Sequence, residues 1–169
     1  MTLRVAVITI SDRSYQRERE DISGPVICNR IHQLGWHTCY TTIIPDELET
    51  IKNTLISCIE KENPDIILTT GGTGFAPRDV TPEATLAVIE KEAPGLAEVM
   101  RSQSLKITPY AMLSRAVAGI RGQTLIINLP GSPKAAVENL EAVQTVLPHA
   151  VELLRDDPKA QNHSFTLHP

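Results

Sequence analysis

Aromatic side chains are scarce in this chain: one Trp, two Phe and three Tyr among 169 residues. Base stacking on aromatic faces carries much of single-strand binding, so Trp36 and its few companions offer no such platform. Cationic excess is missing as well. Sixteen Lys and Arg against twenty Asp and Glu leave a formal charge of −4 and a pI near 5.7, whereas a phosphate-backbone binder needs concentrated positive charge to displace counterions. Nucleic acid is therefore not an expected partner. No apolar run approaches a bilayer span, and Met1-Thr2-Leu3-Arg4-Val5 leads into a strand pattern without a secretory apolar segment. The expectation is a cytoplasmic protein with no membrane partner. Cys28, Cys39 and Cys58 are an odd set with no CxxC pair, which reads as reduced, structural thiols. His32, His37, His149, His163 and His168 lack metal-ligand spacing, and no Ser/His/Asp set emerges.

What is present is the signature of an α/β domain. The length suits one hydrophobic core, expected over residues 1–155 with a polar, mobile tail at 156–169. Leu3 to Ile10 is a β-branched run, followed by a polar stretch from Ser11 to Asp21 that reads as an exposed loop. Ser23-Gly24-Pro25 offers a helix cap and an early Pro, and Val26, Ile27, Ile31 and Leu34 then recur at helical spacing as far as Gly35. A strand at His37 to Ile44, a helix at Glu47 to Lys61 and a strand at Ile66 to Thr70 continue the alternation. Such spacing indicates parallel βαβ crossovers. A helix from Thr81 to about Lys91 and another from Pro94 precede an irregular stretch, Ser104 to Leu113. Ala116 to Ile120 and Thr124 to Leu129 flank Arg121-Gly122-Gln123 as a hairpin. Pro133 starts a long helix that Pro148 should kink or split. The predicted fold is a three-layer α/β/α sandwich whose mostly parallel sheet carries one antiparallel edge hairpin.

The chemistry concentrates in Thr69-Thr70-Gly71-Gly72-Thr73-Gly74-Phe75-Ala76-Pro77-Arg78-Asp79-Val80-Thr81-Pro82, directly after a buried strand. Three glycines in four residues let the backbone turn sharply and bring N–H groups close to an anion. A tight turn without function is the plain reading of the glycines alone, but the carboxyl end of a parallel strand is where open α/β sheets bind ligands. The dinucleotide fingerprint fails for want of its third glycine, and no Gly-Lys-Ser/Thr follows as in a Walker loop. Asp12, Asp46 and Asp79 each follow one of the first three strands and should share that edge. Singly each reads as a helix cap or turn former, Asp46 especially; together, beside an anion loop, they suit Mg²⁺ between carboxylates and phosphate oxygens. A second loop, Asn128 to Lys134, offers Gly131, helix-start amides and Lys134 to another phosphate. Taken alone, Ser132 capping and Pro133 starting the helix remains the simpler account.

With Gly71-Gly72-Thr73-Gly74 and Arg78-Asp79-Val80-Thr81-Pro82-Glu83-Ala84-Thr85 joined in order to Ser11-Asp12-Arg13, Pro45-Asp46, Leu113-Ser114-Arg115-Ala116-Val117-Ala118-Gly119 and Leu129-Pro130-Gly131-Ser132-Pro133, the chain resembles the molybdopterin adenylyltransferases. These are the MogA family, with the related G domains of gephyrin and the plant Cnx proteins. The resemblance runs from Arg4 to about Arg155. It implies a homotrimeric nucleotidyltransferase of molybdenum cofactor biosynthesis that uses ATP and Mg²⁺ to place AMP on the terminal phosphate of molybdopterin, releasing pyrophosphate. It further implies that Asp46 and Asp79 are the catalytic pair and the Mg²⁺ ligands. Substrate and nucleotide contacts are expected at Ser11, Asp12, Gly71, Gly72, Thr73, Gly74, Ser114, Leu129, Pro130, Gly131, Ser132 and Lys134. Molybdate insertion is expected to need another protein. Two alternatives share the fold: a non-catalytic molybdopterin-binding or scaffold paralogue of MoaB type, with the Arg-Asp-Val-Thr segment altered, and a nucleotide pyrophosphatase. Intact Arg78-Asp79-Val80-Thr81 and retained Asp46 favour the active transferase.

Overall fold

Alternation along the strands decides the architecture. In β1 (Arg4–Ile10), Val5 and Val7 join one buried cluster while Ala6, Ile8 and Ile10 join another. Successive side chains of a strand point to opposite faces, so a strand apolar at both parities must be covered on both. The computed structural model, which describes residues 2–156, bears this out. One face of the sheet is packed by α2 (Ser23–Gln33), α5 (Pro94–Leu105), α6 (Pro133–Val143) and α7 (Leu147–Leu154) through Ile27, Ile31, Met100, Leu140, Val143 and Val151. The other face is packed by α3 (Leu48–Glu62) and α4 (Thr81–Val88) through Ile51, Leu55, Cys58, Ala84 and Val88. This is the three-layer sandwich predicted. The expected tail lies, beyond Asp156, outside the described residues, as do His163 and His168.

Six strands run in the order β2-β1-β3-β6-β5-β4, with β2 at His37–Ile44, β3 at Ile66–Thr70, β4 at Lys91–Glu92, β5 at Ala118–Arg121 and β6 at Thr124–Leu129. The first four in that order are mutually parallel, and β5 and β4 add the antiparallel edge. β3 and β6 are buried at every position, whereas the edge strand β2 is mostly part-exposed.

The departures from the sequence reading are local. The stretch expected as loop after β1 contains one helical turn, α1 (Asp12–Tyr15), nucleated by the Ser11 hydroxyl, which accepts the Ser14 N–H at 3.2 Å. Ser23 does not cap α2: the Asp21 carboxylate accepts the Gly24 N–H at 3.0 Å, and the buried Ser23 hydroxyl donates to the Gly131 carbonyl at 2.7 Å. α4 ends at Val88, short of Lys91, because Ile89 turns extended and Glu90 N–H donates to the Ile120 carbonyl at 2.7 Å. That pairing makes the two-residue strand β4, which no local pattern announces. The last helix divides as Pro148 required, with Pro148 in the first turn of α7.

Asn128, on the central strand β6, is fully buried and satisfied. Its amide donates to the hydroxyls of Thr69 and Thr85, each at 2.9 Å, and its carbonyl accepts the Val117 N–H at 3.3 Å. It therefore ties β3, α4 and the approach to β5 together just below the carboxyl edge of the parallel strands. Asn128→Ala should cost about 2–4 kcal/mol through unsatisfied buried groups, measurable as a lower urea midpoint.

Candidate active site

Because β2, β1, β3 and β6 are parallel neighbours, the loops leaving their carboxyl ends fall side by side in that order. These are Pro45-Asp46, Ser11-Asp12, the glycine loop after Thr70, and Pro130-Gly131 after Leu129. Gly71 lies where three of them touch. Its φ is +103°, a Cβ there would sit 2.2 Å from the Ile10 carbonyl oxygen, and its Cα is 3.3 Å from where a Cβ on Gly131 would stand. Only glycine permits backbones this close. The loop is held by hydrogen bonds along its length. Gly71 N–H donates to the Leu129 carbonyl at 3.2 Å, and the buried Thr81 returns its hydroxyl to the Gly71 carbonyl at 3.0 Å and its N–H to the Gly72 carbonyl at 3.1 Å.

The three aspartates converge here but are not equivalent. Asp12 and Asp46 exchange bonds reciprocally: Asp46 Oδ2 accepts the Asp12 N–H at 2.9 Å, and Asp12 Oδ1 accepts the Asp46 N–H at 3.0 Å. Arg78 adds a fork to Asp12, Nε to Oδ2 and Nη2 to Oδ1, both at 2.8 Å. Both Asp12 oxygens are thus used inside the protein. Asp79 Oδ2 accepts the Ala76 N–H at 3.0 Å. Asp46 Oδ1 and Asp79 Oδ1 accept no hydrogen bond among the described residues, and the two carboxylates flank the glycine loop. A Cβ on Gly72 would stand 2.9 Å from Asp46 Oδ1, and one on Gly74 2.9 Å from Asp79 Oδ2. Asp46 does not cap α3; Glu47 holds that position, and its side chain accepts the Thr50 hydroxyl at 2.9 Å without making a capping bond to the backbone.

Charge follows the bonding. The Arg78 hydrogen bonds hold the Asp12 carboxyl below the usual carboxylate range, outweighing its partial burial. Burial pushes the Asp46 carboxyl up, and the negative charges of Asp12 and Asp79 push the same way. A carboxyl whose folded pKa exceeds its unfolded one burdens the folded state above that folded value; the burden fades as pH falls through it towards the unfolded one. Asp46→Asn should therefore melt no lower than the wild type at pH 7–8, and the difference should shrink towards zero below about pH 4. Thermal melts of the two proteins across pH check this. Burial also raises all three thiols, Cys58 to about 12, so each stays protonated at neutral pH.

Arg115, which the sequence pattern did not mark as a site residue, braces the far side of the loop. Its guanidinium donates to the carbonyls of Gly74 at 2.8 Å and Asp79 at 2.7 Å and pairs with Glu83, while its own N–H donates to the Thr73 carbonyl at 2.9 Å. Burial lifts the Glu83 carboxyl, but Arg115 outweighs it and holds the group below its usual range. Carbonyl partners leave no trace in a sequence; the signal available was an arginine directly after Ser114.

Two hollows adjoin the loop. One, of about 360 Å³, is lined by Ser11, Ser23, Gly71, Gly131 and Ser132, with Arg19 at its side. The other, of about 260 Å³, is lined by Thr73, Gly74, Tyr110, Ser114, Pro130 and Asn139. The Ser132 hydroxyl makes no capping bond and is exposed. Lys134 lines neither hollow: its side chain is 81% exposed and faces Glu138 at 3.7 Å, one turn along α6. The i, i+4 pair draws it along the helix rather than to the cavity. Leu129 is fully buried, so only its backbone serves the edge. A larger hollow of about 490 Å³ between β2 and α3 has neither glycine loop nor paired acids.

The family described as a probable molybdopterin binding domain matches residues 6–149. The molybdenum cofactor synthesis protein cinnamon of Drosophila melanogaster is 47% identical over 157 residues, covering 92% of this chain and 26% of that protein. The chain thus spans about a quarter of that relative's length, and 23% of gephyrin from Dictyostelium discoideum, to which it is 45% identical over 92% of its own length. The molybdopterin adenylyltransferase of Helicobacter pylori is 44% identical over 155 residues, 90% of this chain and 88% of that one. Among solved structures, the molybdopterin biosynthesis enzyme MoaB of Thermus thermophilus superposes with a TM-score of 0.87 at 48% identity, over 93% of this chain and 99% of that chain.

Proposed function

Since the chain belongs to the family of probable molybdopterin binding domains, we propose that it is a molybdopterin adenylyltransferase. It would act in molybdenum cofactor biosynthesis, moving AMP from ATP to the terminal phosphate of molybdopterin. The carrying observation is the pair Asp46 and Asp79, each with one uncommitted oxygen, facing opposite ends of one glycine loop. An oxygen of the molybdopterin phosphate attacks the ATP α-phosphorus, the bond from that phosphorus to the bridging oxygen breaks, and pyrophosphate leaves. The chain's share is alignment and charge placement. Loop amides at Gly72 and Gly131 meet phosphate oxygens, Ser11, Ser114 and Ser132 offer hydroxyls, and the two hollows take two phosphorylated ligands whose phosphates meet at the loop. No side chain need form a covalent intermediate.

Mg²⁺ fits the donor set. Among the described residues no group of three or more His, Cys, Asp or Glu is arranged to hold a metal, and Mg²⁺ is commonly held by one or two carboxylates with substrate phosphates and water. Asp46 Oδ1 and Asp79 Oδ1 would hold it, and bound there it would neutralise developing phosphate charge. Asp46→Asn, which keeps its bond from Asp12 N–H, should lose AMP transfer by at least about 10²-fold.

We extend the proposal to one domain over residues 1–155, a homotrimer in the cytoplasm, and molybdate insertion by a separate protein. The decisive experiment is AMP transfer from labelled ATP with and without molybdopterin and Mg²⁺. Adenylylated molybdopterin formed only with all three supports the reading. Molybdopterin binding without transfer indicates the non-catalytic paralogue, and ATP turnover without molybdopterin a pyrophosphatase. Sedimentation at equilibrium tests the trimer.

A further inference from the structure

Building on the adenylyl-transfer reading, we propose that Arg78 and Asp12 are positioning residues whose ion pair sets where Asp46 and Asp79 stand relative to each other. Asp12 then acts through Asp46 rather than as the substrate contact its motif suggested.

Both oxygens of the Asp12 carboxylate are occupied, by three donors, all from the protein: Arg78 Nε, Arg78 Nη2 and the Asp46 N–H. In return the Asp12 N–H engages Asp46 Oδ2, which leaves Oδ1 as the oxygen turned towards Gly72. Asp12 thereby selects which oxygen of Asp46 is available and where it points. Arg78 reaches Asp12 from a loop 66 residues further along the chain. Its neighbour is Asp79, and consecutive Cα atoms are about 3.8 Å apart, so the guanidinium that grips Asp12 also tethers the second acid. On the other side Arg115 binds the Asp79 carbonyl. The acid-bearing loop is clamped between two guanidinium groups, one fixing it to the β1 and β2 turns and one to the approach to β5.

An arginine suits this task because its planar fork defines direction as well as distance. The pair has little other reason to exist. Arg78 and Asp12 side chains are 59% and 29% exposed, and ion pairs this wet add little to folding stability. Arg78 also offsets the like charge that Asp12 brings beside Asp46. A substitution at Arg78 should accordingly spare the fold and disturb the acid geometry.

The test uses the full chain as wild type, Arg78→Gln, Arg78→Lys, Asp12→Asn and the Gln/Asn double variant. Amide exchange by NMR reads the Asp46 and Asp12 N–H groups without any ligand, and steady-state kinetics read kcat and the KM for ATP. In Arg78→Gln the Asp46 amide should exchange about tenfold faster and kcat should fall about 10–100-fold, with the ATP KM within about twofold of wild type. Arg78→Lys, a single-point donor, should fall between, and guards against a Gln variant that fails to fold. The double variant should be no worse than the worse single one, because both break one link. A raised ATP KM with kcat intact would make Arg78 a nucleotide ligand and overturn the proposal, as would wild-type exchange and kinetics. Should the wild type itself transfer no AMP, the adenylyl-transfer reading fails, and the exchange data still decide the link: faster Asp46 exchange in Arg78→Gln supports it, unchanged exchange overturns it.

Discussion

Asp79→Asn should fold and melt like the wild type and transfer AMP at least about 10³-fold more slowly. Asparagine keeps an oxygen for the Ala76 N–H, which Asp79 accepts at 3.0 Å, and the Arg115 bond goes to the backbone carbonyl of residue 79. The loop therefore has every bond it had. What is lost is one negative charge at the second of the two uncommitted oxygens. Asp79→Ala removes the Ala76 bond as well, so its loss of activity would mix chemistry with loop structure. Single-turnover AMP transfer at saturating ATP and Mg²⁺, alongside a thermal melt, separates the two. Full transfer by a normally folded Asp79→Asn protein would remove Asp79 from the reaction.

The second large effect divides two adjacent glycines. Gly71→Ala places a methyl 2.2 Å from the Ile10 carbonyl oxygen at φ +103°, where neither atom can yield because both belong to neighbouring strand ends. Backbone strain and overpacking each cost about 1–3 kcal/mol, so this variant should lose much of its stability. Gly72→Ala meets the Thr81 hydroxyl at 2.3 Å and Asp46 Oδ1 at 2.9 Å, at φ +65°. Side chains can turn aside, and the conformation is one that non-glycine residues sometimes adopt. Its stability cost should be the smaller, yet the displaced groups are Asp46 and the Thr81 that closes the loop. Urea unfolding should rank Gly71→Ala as the more destabilised, while in Gly72→Ala AMP transfer should fall about 10²-fold or more with most of the fold retained. Equal destabilisation by both would mean that the loop, and not the strand ends, takes up the strain.

The same distinction explains how far the sequence could be read. Gly71-Gly72-Thr73-Gly74 after a buried strand announced a close-approach loop, since glycine at such a position has few other uses. What each glycine approaches, the Ile10 backbone for one and the Thr81 and Asp46 side chains for the other, belongs to the packing of loops far apart in the chain. Likewise the sequence pattern put Asp12, Asp46 and Asp79 on one edge. Their division into one acid saturated by Arg78 and Asp46 and two with a spare oxygen depended on bonds across 34 and 66 residues. Lys134, by its place at a helix start, promised a phosphate ligand, and its side chain turns instead towards Glu138.

By itself the sequence determined the strand and helix alternation, the parallel core, the hairpin edge and the edge of the sheet on which the glycine loop and the three aspartates meet. Those follow from periodicity and from glycine and proline chemistry, which act over a few residues. Only the tertiary structure decided that β4 exists, that Arg115 and Arg78 clamp the acid loop from two sides, and that Ser23 serves the Gly131 turn rather than its own helix. Each is a hydrogen bond between segments distant in sequence. Such a bond is chosen by which groups the folded chain leaves close together and unsatisfied, and no local pattern records that choice.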